Sequence, residues 1–469
     1  MALNPWWFGH LLLFSMKTPP TPRRDFLKTA GKAAAGITIL QAGSARTYAA
    51  NEKLNLAFVG AGGRASSDIK ELSSENVVAL CDVDWNHAAH SFKKYADAKR
   101  FKDYRKMLDE INKEIDGVVV ATPDHHHFHA SMTALKYGKH VYVEKPMTHS
   151  VREARTLTEA ARKAGVATQM GNQGQASEAT RIVQEFVMDK AVGPIREAHI
   201  WTDRPSRGLF DVYWPQGVPR PADKPPVPET LSWDLWLGPA PDRPYNPAYL
   251  PAKWRGWWDF GTGALGDIGC HFFDPVFRAL KLGAPLTVEA ASTRVNEETY
   301  PVGSMITYEF PARGEMPPVK FVWYDGGLRP QRPEVIGKGD VMGTNGLLLV
   351  GDDGVLLSDW NQWLMFPEKR AKEYGTPPKK LERSKGHHKE WIAACKGGPA
   401  PGSNFDWAGP MTETVLLGTV ALRPQLREEM TQQKLRWDSK NLSFTNHDKA
   451  NQFIGREYRK GWEIQEFSI

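Results

Sequence analysis

Only three cysteines occur in 469 residues, and Cys81, Cys270 and Cys395 are odd in number and far apart, which excludes a disulfide framework. Long apolar runs are missing as well. A membrane span needs about 20 strongly apolar residues, so stable membrane insertion of the mature chain is not expected. A charge surplus is absent over most of the length. The net charge is +6, but residues 1–50 hold Lys17, Arg23, Arg24, Lys28, Lys32 and Arg46 against Asp25 alone. The remainder is almost neutral, which argues against a nucleic-acid-binding surface. With 41% hydrophobic and 24% charged residues, the composition excludes disordered, collagen-like and coiled-coil chains. The length predicts two or three domains with their own cores.

The first fifty residues read as a signal region. Thr21-Pro22-Arg23-Arg24-Asp25-Phe26-Leu27-Lys28 carries paired arginines ahead of a small, weakly apolar stretch, Thr29 to Gly43. This is the twin-arginine export pattern, read by the export machinery and then removed. Pro22 stands where that pattern prefers Ser or Thr. The alternative is an ordinary amphipathic N-terminal helix. Cleavage is expected near Thr47 to Ala50, translation is expected to start at Met16, and the mature protein is expected in the periplasm or otherwise outside the cytoplasm.

Residues 51–174 read as a dinucleotide-binding domain. Leu54 to Val59 is an apolar run of strand length, followed directly by Gly60-Ala61-Gly62-Gly63-Arg64-Ala65. This is the G-x-G-x-x-A fingerprint, in which glycines allow a tight turn and close approach of a pyrophosphate to a helix start. Asn76 to Cys81 gives a second strand ending in Asp82, placed to bind ribose hydroxyls. A carboxylate there repels a 2′-phosphate and favours NAD over NADP, with Arg64 available to offset part of that repulsion. Gly117 to Ala121 leads into Thr122, Pro123 and an extended loop with His125, His126, His127 and His129. A strand ending at Val143 leads into Glu144-Lys145-Pro146, and a helix over Val151 to Ala164 precedes a strand ending at Gly171, before Asn172. Such alternation predicts a doubly wound parallel sheet with ligands at its carboxyl strand ends. The cofactor-binding set is therefore Gly60, Gly62, Gly63, Arg64, Asp82, Thr122, Pro123, His127, Glu144, Lys145 and Asn172. The four clustered histidines lack a matching carboxylate or cysteine pattern, so hydrogen bonding near the nicotinamide is expected rather than a metal.

Residues 175–469 read as an α/β substrate and oligomerisation domain. Within it, about 203–258 is rich in proline, and seven of the 17 tryptophans lie between Trp201 and Trp258, which predicts a long ordered loop. Its indoles suit either a substrate channel or packing beneath the insertion. Next comes Asp267-Ile268-Gly269-Cys270-His271, where helical spacing puts Asp267 and His271 on one face. A carboxylate beside an imidazole makes a good general base.

Gly60-x-Gly62-x-x-Ala65, Asp82, Ala121-Thr122-Pro123 with His127, Glu144-Lys145-Pro146 and Asp267-x-Gly269-x-His271 occur in an order that resembles the Gfo/Idh/MocA oxidoreductases. His388-Lys389-Glu390-Trp391 and Tyr458-Arg459-Lys460-Gly461-Trp462 resemble a bacterial, often exported branch. The resemblance implies a Rossmann domain followed by an α/β domain with an open, mostly antiparallel mixed sheet. It also implies NAD-dependent hydride transfer at a sugar or cyclitol carbon. Lys145 would orient the reacting hydroxyl, His271 would accept its proton and Asp267 would orient His271. A homodimer or homotetramer is expected. Gly266, next to Asp267, departs from the side chains common there.

Folded export lets NAD travel already bound, so a tightly held cofactor is expected. Two other readings compete: a redox-neutral glycosidase resembling family 109, and a sugar- or nucleotide-binding protein without turnover. Further along, Val319 to Tyr324 and Gly346 to Val350 read as strands and Gly409 to Leu422 as a helix. The run Gly386 to Glu390 reads as a solvated helix start.

Overall fold

The computed structural model describes residues 52–464 apart from 209–210, 338–341, 360–361 and 428–433. The twin-arginine segment lies outside the described residues.

Six parallel strands form the first sheet: β1 (Asn55–Val59), β2 (Asn76–Cys81), β3 (Lys99–Phe101), β4 (Gly117–Val120), β5 (His140–Glu144) and β6 (Thr168–Gly171). Their order is β3-β2-β1-β4-β5-β6, so the winding direction reverses between β1 and β4. Every residue of β4 is buried, as expected of a central parallel strand covered on both faces. The helix Val151–Ala164 has the bounds expected from its pattern. Ser150 and Glu153 close a capping box at its start, and Gly165 ends it in the left-handed conformation.

One expectation fails here. Residues 125–129 are not an extended loop but part of the helix Asp124–Lys136, which starts directly after Pro123. Pro123 has φ −58°, and a proline's missing N–H costs nothing just ahead of a helix. All four histidines are buried and their ring nitrogens meet backbone carbonyls: His125 and His126 that of Trp236, His127 those of Thr122 and Pro146, and His129 that of Trp462.

The second sheet contains β7 (Ile195–Trp201), β8 (Thr287–Ser292), β9 (Ser304–Phe310), β10 (Val319–Tyr324), β11 (Gly346–Gly351), β12 (Gly354–Ser358), β13 (Trp363–Phe366), β14 (Leu435–Asp438) and β15 (Ser443–Phe444). The order among the described residues is β13-β12-β11-β7-β10-β9-β8-β14-β15. Only β7 and β10 pair in parallel; the other pairings are antiparallel. Helix Gly263–Leu280 packs Phe273 and Phe277 edge-on against Phe321 on this sheet. The helix expected over 409–422 runs over Phe405–Ala421.

The segment 203–258 is mostly irregular, with a short helix at Trp233–Leu237 and a 3-10 turn at Lys253–Gly256. Leu231, Trp236, Tyr249, Trp257 and Phe260 give it a small core of its own. It lies against the first sheet: Ser232 N–H donates to Val83 O at 2.8 Å, and Trp85 N–H to Thr230 O at 3.2 Å. The C-terminal stretch also returns there, with Arg152 N–H bonded to Ile454 O and Arg459 N–H to Pro239 O. Gly386 to Glu390 corrects another expectation. His387 and His388 are buried rather than solvated, and His388 Nε2 lies 3.2 Å from Asp68 Oδ1.

Candidate active site

A cleft of about 310 Å³ opens at the carboxyl ends of β1, β2, β4 and β5, where the winding reverses. Its floor is the glycine-rich turn. Gly60 has φ +89°, and a Cβ there would lie 2.6 Å from Ala121 O. The turn thus needs glycine for both conformation and space. Asp82 Oδ2 accepts from Ala61 N–H at 2.8 Å and from Gly62 N–H at 3.2 Å, while its Oδ1 accepts from Asp84 N–H at 2.9 Å. Burial pushes the Asp82 carboxyl up, and these N–H donors pull against it. In the wall, Thr122 Oγ1 is buried without a partner. A glycine-rich turn, an acid at the end of β2 and an orphaned hydroxyl suit a dinucleotide.

Gly60→Ala should weaken nucleotide binding by about tenfold or more, given the 1–3 kcal/mol typical of such backbone strain. Calorimetric titration with NAD checks this, and a circular dichroism spectrum like that of the unaltered protein would show that the fold survives.

At the end of β5, Glu144 and Lys145 point to different partners. Glu144 Oε1 accepts from Arg64 Nε at 3.0 Å and from Gln173 Nε2 at 2.7 Å. Arg64 also bonds Asp68 at 2.8 Å, so its guanidinium is committed to Glu144 and Asp68. That geometry does not fit Arg64 as a counterion for a 2′-phosphate beside Asp82. Lys145 Nζ donates to both Oδ1 and the backbone O of Asp267, each at 2.6 Å. Arg255 Nε donates to the same Oδ1 at 2.8 Å. Burial alone would push the Asp267 carboxyl up, but Lys145 and Arg255 override it and hold it well below the carboxylate range.

Asp267 and His271 lie four residues apart on the buried helix Gly263–Leu280. His271 lines the cleft, and burial, aided by the Lys145 charge, pushes its imidazole down to about 3. It is neutral over the working range of most enzymes. Asp267 is not a wall residue; it sits behind Lys145 and anchors it.

The structure brings together on the cleft wall Gly60, Gly62, Gly63, Arg64 and Asp82 from the first two strand ends. Thr122, Pro123, His127, Glu144, Lys145 and His271 join them there. Asn172 does not line the cleft. It is fully buried, with Nδ2 3.5 Å from Cys270 O, and its neighbour Gln173 reaches the wall instead. Sequence reading missed Arg255, Asp124, Trp254 and His87, which also line it. Asp124 follows Pro123 at a strand end, a signal that was available. Arg255 sits among tryptophans in irregular chain, where no periodicity marks it. In the tryptophan-rich segment, Trp257 and Trp236 pack in its own core, and Trp236 and Trp254 also line the cleft.

Residues 54–172 match the family described as "Oxidoreductase family, NAD-binding Rossmann fold", and residues 210–314 match "Oxidoreductase family, C-terminal alpha/beta domain". Glucose-6-phosphate 3-dehydrogenase of Bacillus subtilis is 29% identical over 143 residues, 30% of this chain and 39% of the relative. An inositol 2-dehydrogenase of Salmonella paratyphi B is 29% identical over 117 residues, 24% of this chain and 34% of the relative. The chain thus spans little more than a third of the length of these curated relatives. The WlbA dehydrogenase from Bordetella pertussis, solved with NADH and UDP-GlcNAcA, superposes with a TM-score of 0.55 at 16% identity, covering 82% of this chain and 99% of that one. The aldose-aldose oxidoreductase from Caulobacter crescentus, solved with glycerol, gives 0.52 at 16%, covering 82% and 100%. At these identities the superpositions speak for the fold alone.

Proposed function

Because the chain carries both segments of the Gfo/Idh/MocA oxidoreductase family, we propose that it is an exported oxidoreductase acting on a CH–OH carbon of a sugar, glycoside or cyclitol. Its cofactor is a tightly held nicotinamide nucleotide, NAD in preference to NADP because Asp82 stands where a 2′-phosphate would sit. The observation that carries this reading is Lys145, fixed by two 2.6 Å bonds to Asp267 on the same wall as His271 and the glycine-rich turn.

The bound nicotinamide supplies a hydride acceptor or donor. The remaining work falls to the chain. Lys145 donates to the reacting hydroxyl oxygen and stabilises negative charge developing there. His271, kept neutral by burial, accepts the hydroxyl proton at a ring nitrogen. Asp267 holds Lys145 aimed, and Arg255 holds Asp267. Trp254 offers an apolar face to a sugar ring, and the twin-arginine run Arg23-Arg24 addresses the folded, loaded protein for export.

The test is mass spectrometry of nucleotide released on denaturing protein recovered from the exported fraction, followed by incubation with glycosides. About one NAD or NADH per chain and a keto-sugar product are expected. Release of an aglycone instead would favour the redox-neutral glycosidase. A nucleotide-free protein that oxidises no sugar even with added NAD or NADP would overturn the proposal.

A further inference from the structure

The wall contains a buried carboxyl that the scheme above leaves unused. Asp124 opens the helix Asp124–Lys136, is 2% exposed and lines the cleft between Pro123 and the Lys145 side. Its Oδ2 accepts a 2.6 Å bond from Thr262 Oγ1. Thr262 immediately precedes Gly263–Leu280, the helix that bears Asp267 and His271. His125 N–H donates to Phe260 O at 3.2 Å, which ties the same two segments a second time. Gly266 completes the arrangement: a Cβ there would collide with Thr262 Oγ1 and Cβ. The residue that departs from the common pattern is thus the one that leaves space for the hydroxyl serving Asp124.

The charged groups facing Asp124 come from several elements. Lys145 stands at the end of β5, Arg255 on the 3-10 turn and Asp267 on the long helix; the Tyr300 phenol and Cys270 thiol also feel its charge. Two cations face Asp267, so an ionised Asp124 balances the group and a protonated one leaves a single positive charge in excess. Burial pushes the Asp124 carboxyl up, and the Thr262 bond and the two cations pull it back to about 7.

We propose that Asp124 is a positioning residue that couples proton uptake to the redox state of the cofactor. Ionised, it favours the positively charged oxidised nicotinamide; protonated, it favours the neutral reduced one. The balance closes without a change of charge in the buried cleft. A substrate C–H bond breaks and its hydrogen leaves with both electrons for the nicotinamide. The O–H bond breaks, a carbonyl forms, its proton passes to His271 and on to solvent, and Asp124 takes one proton from solvent as the nicotinamide loses its charge. The inference rests on the proposed function only in placing a nicotinamide nucleotide in this cleft.

Redox titration of the holoprotein against a dye of known potential, across the neutral range, counts the protons taken up per electron pair. A free nicotinamide takes up one, and coupling to Asp124 makes two. At fixed potential the reduced-to-oxidised ratio should fall about a hundredfold per pH unit near neutrality, against about tenfold in Asp124→Asn. Thr262→Val removes a donor to the carboxylate, so the steep range should move to higher pH, while Thr262→Ser should leave it in place. A tenfold dependence in the unaltered protein, or a hundredfold one in Asp124→Asn, overturns the inference. If Asp124→Asn does not fold, identical profiles for Thr262→Val and Thr262→Ser overturn it. Nucleotide binding with this proton count but no sugar oxidation would instead refute the proposed function and leave the role of Asp124 standing.

Discussion

Lys145→Ala should lower kcat for the proposed alcohol oxidation by about 10²–10³-fold, the usual cost of removing one preorganised donor to a developing oxyanion. The fold should survive, because Asp267 keeps its 2.8 Å bond from Arg255 and so is not left as an unpaired buried charge. Nucleotide affinity should change far less than turnover, since the glycine-rich turn and Asp82 are untouched. Lys145→Arg is not expected to restore the rate. A planar guanidinium cannot place one donor on Asp267 Oδ1 and its backbone O while presenting another to substrate from the same point. Steady-state kinetics with a keto-sugar readout, beside calorimetry with NAD, separates the two effects. An unchanged kcat would remove Lys145 from the reaction centre.

Trp391→Ala should reduce the unfolding free energy by about 3–5 kcal/mol, the range for truncating a large buried aromatic. Trp391 is 0% exposed and lies edge-on to Tyr142, with ring centroids 5.8 Å apart. Its ring edge fills the space beside Gly117, where a Cβ would come within 3.0 Å of it. The tryptophan thus joins the late helix His387–Cys395 to β4 and β5, about 250 residues earlier in the chain. Backbone on both sides is held in regular structure, so the cavity cannot easily collapse. Urea unfolding should show a lower midpoint at a similar slope. A midpoint within error of the unaltered protein would mean that helix contributes little to holding the first sheet together.

Both results depend on contacts between segments remote in sequence, and that is where reading the chain alone reached its limit. The glycine-rich turn, β2 from Asn76 to Cys81, and the helix Val151–Ala164 were legible because each is specified by neighbours in the chain. Residues 125–129 were not, because polar histidines hide the helical pattern. Their burial depends on carbonyls of Trp236 and Trp462, more than 100 and 300 residues away. Asn172 and Gln173 both follow the end of β6, and only packing decides that Gln173 faces the cleft.

From sequence alone came the doubly wound sheet, the glycine-rich turn, the acid at Asp82 and the placement of Asp267 and His271 four residues apart on one helix. These follow from short-range periodicity and from glycines whose conformation no other residue adopts cheaply. The tertiary structure decided which partner Asp267 holds, that Arg64 turns to Glu144, that Arg255 completes the charge cluster, and why residue 266 is glycine. Each of those depends on distances between strand ends and an irregular, tryptophan-rich segment, and charges interact through space rather than along the chain.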